Sequence, residues 1–137
     1  MFDEGCKANN MRAKVIINSR SGKGRTREQS DLINTLGRRY ENLDIFPTQR
    51  PRHAVELAAT AAGEGYDLVI AAGGDGTVHE VVNGLVRGDR ATLPMGIVPI
   101  RSGNDTAYGL RIHEEPEQAI ERILNGAPRP LDLARIT

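Results

Sequence analysis

At 137 residues the chain is long enough for one domain with a buried core. Its 39% hydrophobic and 26% charged content is that of an ordinary soluble globular protein, not of a disordered or fibrous one. The 18 basic and 18 acidic residues cancel, so bulk electrostatics gives no argument for nucleic acid or for an anionic membrane surface.

No apolar run approaches the roughly 20 residues that span a bilayer. Residues 1–12, MFDEGCKANNMR, lack the basic and apolar regions of a signal peptide and are expected to form a disordered leader ahead of a domain over 13–137. Cys6 is the single cysteine, which excludes an intramolecular disulfide and a cysteine zinc site. The expected setting is reducing and cytoplasmic.

From there the chain alternates between apolar runs and helical periodicity. The first strand is expected at Lys14–Asn18, followed by a small polar loop from Ser19 to Gly24. A helix should begin near Thr26, where Thr26 and Gln29 have capping-box spacing, with Leu32, Ile33, Leu36 and Tyr40 on its apolar face. Leu43–Phe46 reads as a short strand ended by Pro47. An alanine-rich helix suited to close packing on a sheet should run from Arg52 to Ala62, ended by Gly63 and Gly65.

The next strand, Asp67–Ala72, is almost wholly apolar, as a strand covered on both faces should be. It runs directly into Gly73-Gly74-Asp75-Gly76-Thr77. Val78, Val81, Val82, Leu85 and Val86 then recur at helical spacing, and Gly88 is the expected stop. Met95–Pro99 is the fourth strand. A loop from Ile100 to Asn104 and a helical turn over Asp105–Leu110 follow. A last helix over Pro116–Asn125 should pack through Ala119, Ile120, Ile123 and Leu124, and Leu131–Ile136 looks like the start of a further strand. This order predicts an α/β domain of three layers with a mostly parallel sheet.

A buried strand, a glycine turn and a helix start make a general anion site. Backbone N–H groups of the first helical turn lack partners inside the helix, and the helix dipole adds partial positive charge. Gly73, Gly74 and Gly76 can take φ > 0 and carry no side chain to block close approach. The turn is neither a Walker A loop nor a GxGxxG dinucleotide turn. Its unusual feature is Asp75, a carboxylate that would repel a polyphosphate unless Mg2+ lay between them. Thr77 and Glu80 have capping-box spacing, so Thr77 is a candidate helix cap as well as a phosphate contact.

Several ordered motifs resemble the catalytic-domain family of diacylglycerol kinases, sphingosine and ceramide kinases and bacterial lipid kinases. The segment DLVIAAGGDGTVHEVVNGL over 67–85 is close to that family's signature. Asn18-Ser19-Arg20-Ser21-Gly22-Lys23 resembles its Asn-Pro-x-Ser-Gly-Lys element. Gly96–Pro99 followed by Ser102-Gly103-Asn104-Asp105 resembles its Pro-x-Gly-Thr-x-Asn-Asp element, and Leu131-Asp132-Leu133 stands where the family carries an aspartate.

The resemblance implies a Rossmann-like nucleotide domain similar to the phosphofructokinase and NAD-kinase folds. It implies a following β-rich lipid-binding domain, absent from this sequence, with ATP in the cleft between the two. Carried over by position, nucleotide contacts would come from Asn18, Ser19, Arg20, Ser21 and Gly22, and from Gly73, Gly74, Asp75, Gly76, Thr77, Val78, His79 and Glu80. Thr48, Ser102 and Asn104 would contribute from the side, with Lys23 near phosphate or the acidic cluster. Asp75, Asp105 and Asp132 would organise Mg2+, and the general base would belong to the absent domain.

The chain departs from the pattern at Ser19-Arg20 (usually Pro-x), His79 (usually Asn), Arg101 (usually Gly), and Thr106 and Tyr108 (usually Phe and Arg). His53 and His113 are expected to be surface residues. The implied activity is phosphorylation of a diacylglycerol-like alcohol by ATP, with little activity in this piece alone. Transient contact with a membrane surface and homodimerisation are both open, and nucleic acid is not an expected partner. Two alternatives remain. An NAD kinase shares GGDGT but fits the Ser102–Asp105 loop less well, and a non-catalytic nucleotide-binding module would need no second domain.

Overall fold

The computed structural model describes residues 11–18, 35, 37, 38, 40–88, 93–99 and 116–125. Four strands, β1 (Ala13–Ile17), β2 (Leu43–Pro47), β3 (Leu68–Gly73) and β4 (Met95–Pro99), form one sheet in the order β2-β1-β3-β4. Every pairing is parallel. Among the described residues the helices α1 (His53–Ala59), α2 (Asp75–Arg87) and α3 (Pro116–Asn125) accompany them. Thr35, Gly37 and Arg38 are also helical, inside the helix expected before β2, whose remainder lies outside the described residues.

The central strands β1 and β3 are buried at every position, as parallel strands covered on both faces must be. Their side chains alternate between two cores. Val15, Ile17, Ile70 and Ala72 face one layer with Val98 and with Ala119, Ile120 and Leu124 of α3. Ile16, Val69 and Ala71 face the other with Ala54 and Ala58 of α1 and Val78, Val81 and Leu85 of α2. The arrangement is the expected three-layer α/β domain.

The layers come close where glycine replaces a side chain. A Cβ on Gly84 would stand 2.7 Å from the Ala58 Cβ and 3.1 Å from the Ala59 nitrogen, so α1 and α2 meet almost backbone to backbone. The alanines of α1 therefore serve a helix–helix contact as well as the sheet. Across the sheet, a Cβ on Gly96 would stand 2.6 Å from Cδ1 of Ile123, which seats α3 on β4.

Several boundaries differ from those expected. Pro47 pairs with Ile17 instead of ending the strand before it, because β2 is an outer strand of the described sheet, where a missing N–H is tolerated. The ladder resumes at once, the Thr48 N–H donating to the Ile17 carbonyl at 2.9 Å. α1 stops at Ala59, short of Ala62. The Thr60 hydroxyl donates back to the carbonyls of Glu56 (3.3 Å) and Leu57 (3.4 Å), competing with helical bonding. Positive φ in the following turn falls on Gly65 (φ 92) and not on Gly63. Val86, expected on the apolar stripe of α2, is 39% exposed, because eight residues past Val78 the stripe has drifted off the buried face.

Lys14 was expected only as a strand residue. It is 1% exposed and faces α1. Its Nζ donates to the Leu57 carbonyl at 2.8 Å, to Glu64 Oε1 at 2.6 Å and to Thr60 Oγ1 at 3.4 Å, using all three donors. The ring of Phe46 lies 4.8 Å from Nζ and that of Tyr66 5.7 Å away. The Tyr66 hydroxyl donates to Asp44 Oδ2 at 2.7 Å, and Arg12 both pairs with Asp44 at 3.2 Å and stacks 4.7 Å from the Tyr66 centroid. This cluster ties β1, β2 and the α1–β3 turn together at the N-terminal edge of the sheet.

Gly84→Ala should lower stability by about 1–3 kcal/mol in urea unfolding, although alanine gains about 1 kcal/mol of helix propensity over glycine; the backbone contact outweighs propensity. Burial, and then the hydrogen bond to Asp44, push the Tyr66 phenol up to about 12. The fold favours the neutral phenol, so this contribution is complete below the ordinary tyrosine value of roughly 10 and is lost as pH rises from there through about 12. Titration of phenolate absorbance should show a late step that Tyr66→Phe removes.

Candidate functional site

Chain direction over the sheet reverses between β1 and β3. From β1 the chain moves outward to β2, then crosses back over β1 to β3 and onward to β4. In parallel sheets such a reversal leaves a crevice at the C-terminal ends of the two strands, where the outgoing loops part. Register brings Ile17 opposite Ala72, so Asn18 leaves β1 beside Gly73 at the end of β3. The Asn18 N–H donates to the Ala72 carbonyl at 3.2 Å, closing the two strand ends together.

Gly73 is required where it stands. Its φ is 156°, and a Cβ there would lie 2.7 Å from Oγ1 of Thr77 and 3.4 Å from the Cβ of Asn18. Gly74, with φ −100° and ψ −166°, is the N-cap of α2, and the helix begins at Asp75. Thr77 therefore does not cap the helix, contrary to its capping-box spacing with Glu80. It is the third helical residue, 4% exposed, wedged against the bare Cα of Gly73. The Val78 N–H closes onto the Gly74 carbonyl at 3.2 Å. Neither Gly74 nor Gly76 takes positive φ. Their contribution is space, since a Cβ on either would meet nothing within 4 Å.

In front of this turn lies a hollow of about 120 Å³ whose walls include Asn18, Thr48, Gly76, Thr77 and Glu80. Thr48 is buried, and its hydroxyl donates to Asn18 Oδ1 at 3.4 Å. Five residues expected to contact one ligand, drawn from three separate stretches of chain, thus share one cavity. Asp75 is half-buried at the first position of α2 and, like Gly73 and Gly74, is not among the residues lining the hollow. The side chain of Val78 lies in the core and that of His79 is exposed, and neither lines the hollow. Ser19, Arg20, Ser21, Gly22, Lys23, Ser102, Asn104, Asp105 and Asp132 lie outside the described residues. Among the described residues no group of three or more His, Cys, Asp or Glu side chains is arranged to hold a metal ion.

Arg50, Pro51 and Ala54 complete the wall and had not been singled out from the sequence. The available signal was position alone, since loops after parallel strands border the crevice. His53, expected on the surface, is half-buried, and its Nδ1 accepts the Gln49 N–H at 3.0 Å, which pins the turn before α1.

The family described as the diacylglycerol kinase catalytic domain matches residues 12–136 of this chain. A curated "Diacylglycerol kinase" of Bacillus subtilis is 35% identical over 128 residues, covering 91% of this chain and 42% of the relative. A "Probable lipid kinase YegS-like" protein of Xanthomonas campestris pv. campestris is 38% identical over 129 residues, 90% of this chain and 40% of the relative. A solved structure titled as a diacylglycerol kinase from Bacillus anthracis str. Sterne superposes with a TM-score of 0.65 at 25% identity, over 82% of this chain and 38% of that one. The chain spans about 40% of the length of the curated relatives it matches.

The two adjacent glycines should separate fold from cavity. Gly73→Ala should cost about 2–4 kcal/mol in denaturant unfolding, from backbone strain plus the clash with Thr77. Gly74→Ala should cost under about 1 kcal/mol, the difference between glycine and alanine at an N-cap.

Proposed function

The chain belongs to the diacylglycerol kinase catalytic-domain family, and on that premise we propose that it is the ATP-binding part of a lipid kinase whose complete form phosphorylates a diacylglycerol-like alcohol. The supporting observation is the convergence of Asn18, Thr48, Gly76, Thr77 and Glu80 on one hollow at the strand reversal, beside the N-terminus of α2.

The described residues fit a nucleotide's phosphate tail. The start of α2 offers backbone N–H groups and the positive end of its dipole, and Gly74 and Gly76 leave the approach clear. Thr77 lines the same cavity. Mg2+ beside such a tail is usually held by one or two carboxylates together with phosphate oxygens and water, not by a full protein cage. Asp75, at the mouth of the turn, is the carboxylate proposed for that role, with Asp105 and Asp132 as further candidates. When bound, the ion would neutralise the charge of the β- and γ-phosphates.

In the proposed reaction the alcohol oxygen attacks the γ-phosphorus, the bond to the β-phosphate oxygen breaks, and ADP leaves. The hydroxyl proton passes to a base, proposed to come with the lipid pocket from the following domain. The part played by this chain is to bind and orient the phosphates, which is most of what phosphoryl transfer asks of a protein. No helix among the described residues is long and apolar enough to cross a membrane. We place the enzyme in the cytoplasm, meeting its lipid at the membrane surface.

Asp75→Asn should abolish Mg2+-dependent ATP binding while the circular dichroism spectrum is unchanged. A variant that binds ATP and Mg2+ as well as the wild type sinks the assignment. With labelled ATP, Mg2+ and diacylglycerol, the 137-residue chain alone should bind nucleotide weakly and show little or no turnover. Phosphatidic acid formed at the rate of a full-length relative would refute that division of labour.

A further inference from the structure

Of the side chains lining the hollow, only Arg50 and Glu80 are charged. An anionic phosphate tail entering it meets the Glu80 carboxylate, and among the described lining residues the one available cation is Arg50. We propose that Arg50 is an anion-binding side chain of this site, which exchanges its contact with Glu56 for a phosphate group of the nucleotide. This rests on the nucleotide reading of the hollow and deepens it.

Three observations carry the proposal. The first is placement: Arg50 lines the hollow and its backbone is held in a bonded turn. The His53 N–H donates to the Arg50 carbonyl at 3.1 Å, the His53 ring holds the Gln49 N–H, and Pro51 restricts φ immediately after. The second is strain. Arg52 has φ 65°, the one non-glycine residue with positive φ among the described residues. An arginine held in the left-handed region is costly and persists where surrounding bonds impose it. Here the imposed turn is the one that presents Arg50 to the hollow.

The third observation is the present partner. Arg50 Nη1 pairs with Glu56 Oε2, and that bond holds the Glu56 carboxyl below the usual carboxylate range. Both side chains are more than half exposed, at 55% and 58%, so the pair is screened by water and salt and adds little to stability. A phosphate is a better acceptor for the planar guanidinium fork than an exposed monocarboxylate. Exchange therefore loses a weak contact and gains a stronger one. Lys14, by contrast, is buried with all three donors committed and takes no part.

The test compares ATP with adenosine, both titrated in Mg2+ against the 137-residue chain and against Arg50→Gln and Glu56→Gln variants, with melting curves to confirm folding. Arg50→Gln should weaken ATP binding by roughly 5- to 30-fold, as expected for loss of a partly screened charged hydrogen bond, and leave adenosine within about twofold. Glu56→Gln, outside the cavity wall, should tighten ATP binding by roughly 2- to 5-fold by releasing the arginine. Unchanged ATP affinity in Arg50→Gln, an equal loss for adenosine, or unchanged or weaker ATP binding in Glu56→Gln overturns the proposal alone. A wild-type chain that binds no ATP overturns the nucleotide reading beneath it.

Discussion

The parallel pairing of β1 with β3 is the constraint from which the rest of this structure follows. Both strands are buried on both faces, so their register is set by two hydrophobic cores at once. A slip of one residue would turn every side chain to the wrong layer. That register brings Asn18 to Gly73, and the bond from the Asn18 N–H to the Ala72 carbonyl locks the juxtaposition. β2 and β4 lie on opposite sides of this pair. The hollow lies at these strand ends, walled by Asn18, by the segment after β2 and by the start of α2.

Three glycines translate that constraint into distances. Gly84 lets α1 and α2 share one face of the sheet, Gly96 seats α3 on the other, and Gly73 lets Thr77 close over the end of β3. In each case the missing side chain is replaced by a specific neighbour, so each contact is defined by shape. Gly74 and Gly76 are a different kind of glycine. Nothing occupies the space their side chains would take, so they open the turn where the other three close a contact.

Much of this was legible in the sequence because it depends on local pattern. The four strands and the helices over 75–87 and 116–125 follow from apolar runs and from spacings of three and four, and these features survive folding unchanged. The start of α2 was displaced by three residues because Thr77 and Glu80 imitate a capping box. The competing influence, the packing of Thr77 on Gly73, involves the chain end of a strand and has no local signature. The resemblance to lipid kinases brought Asn18, Thr48 and the 73–80 turn together although they are dispersed in sequence. Arg50 escaped because its significance lies in facing residues that come from other elements. Lys14 escaped for the same reason, since the partners that make its burial tolerable stand 43 to 50 residues away.

The two ends of the sheet handle charge in opposite ways. At the N-terminal edge Lys14 is sequestered, its three donors bound and two aromatic rings beside it, while Tyr66, Asp44 and Arg12 complete a connected network. Removing one partner there would strand a buried charge, so that end is committed to a single arrangement. At the C-terminal edge the pair of Arg50 with Glu56 is exposed on both sides and can be exchanged at small cost. The sheet thus combines a rigid base that fixes the position of β1 and β3 with a rim ion pair that can be broken without disturbing the strands beneath it.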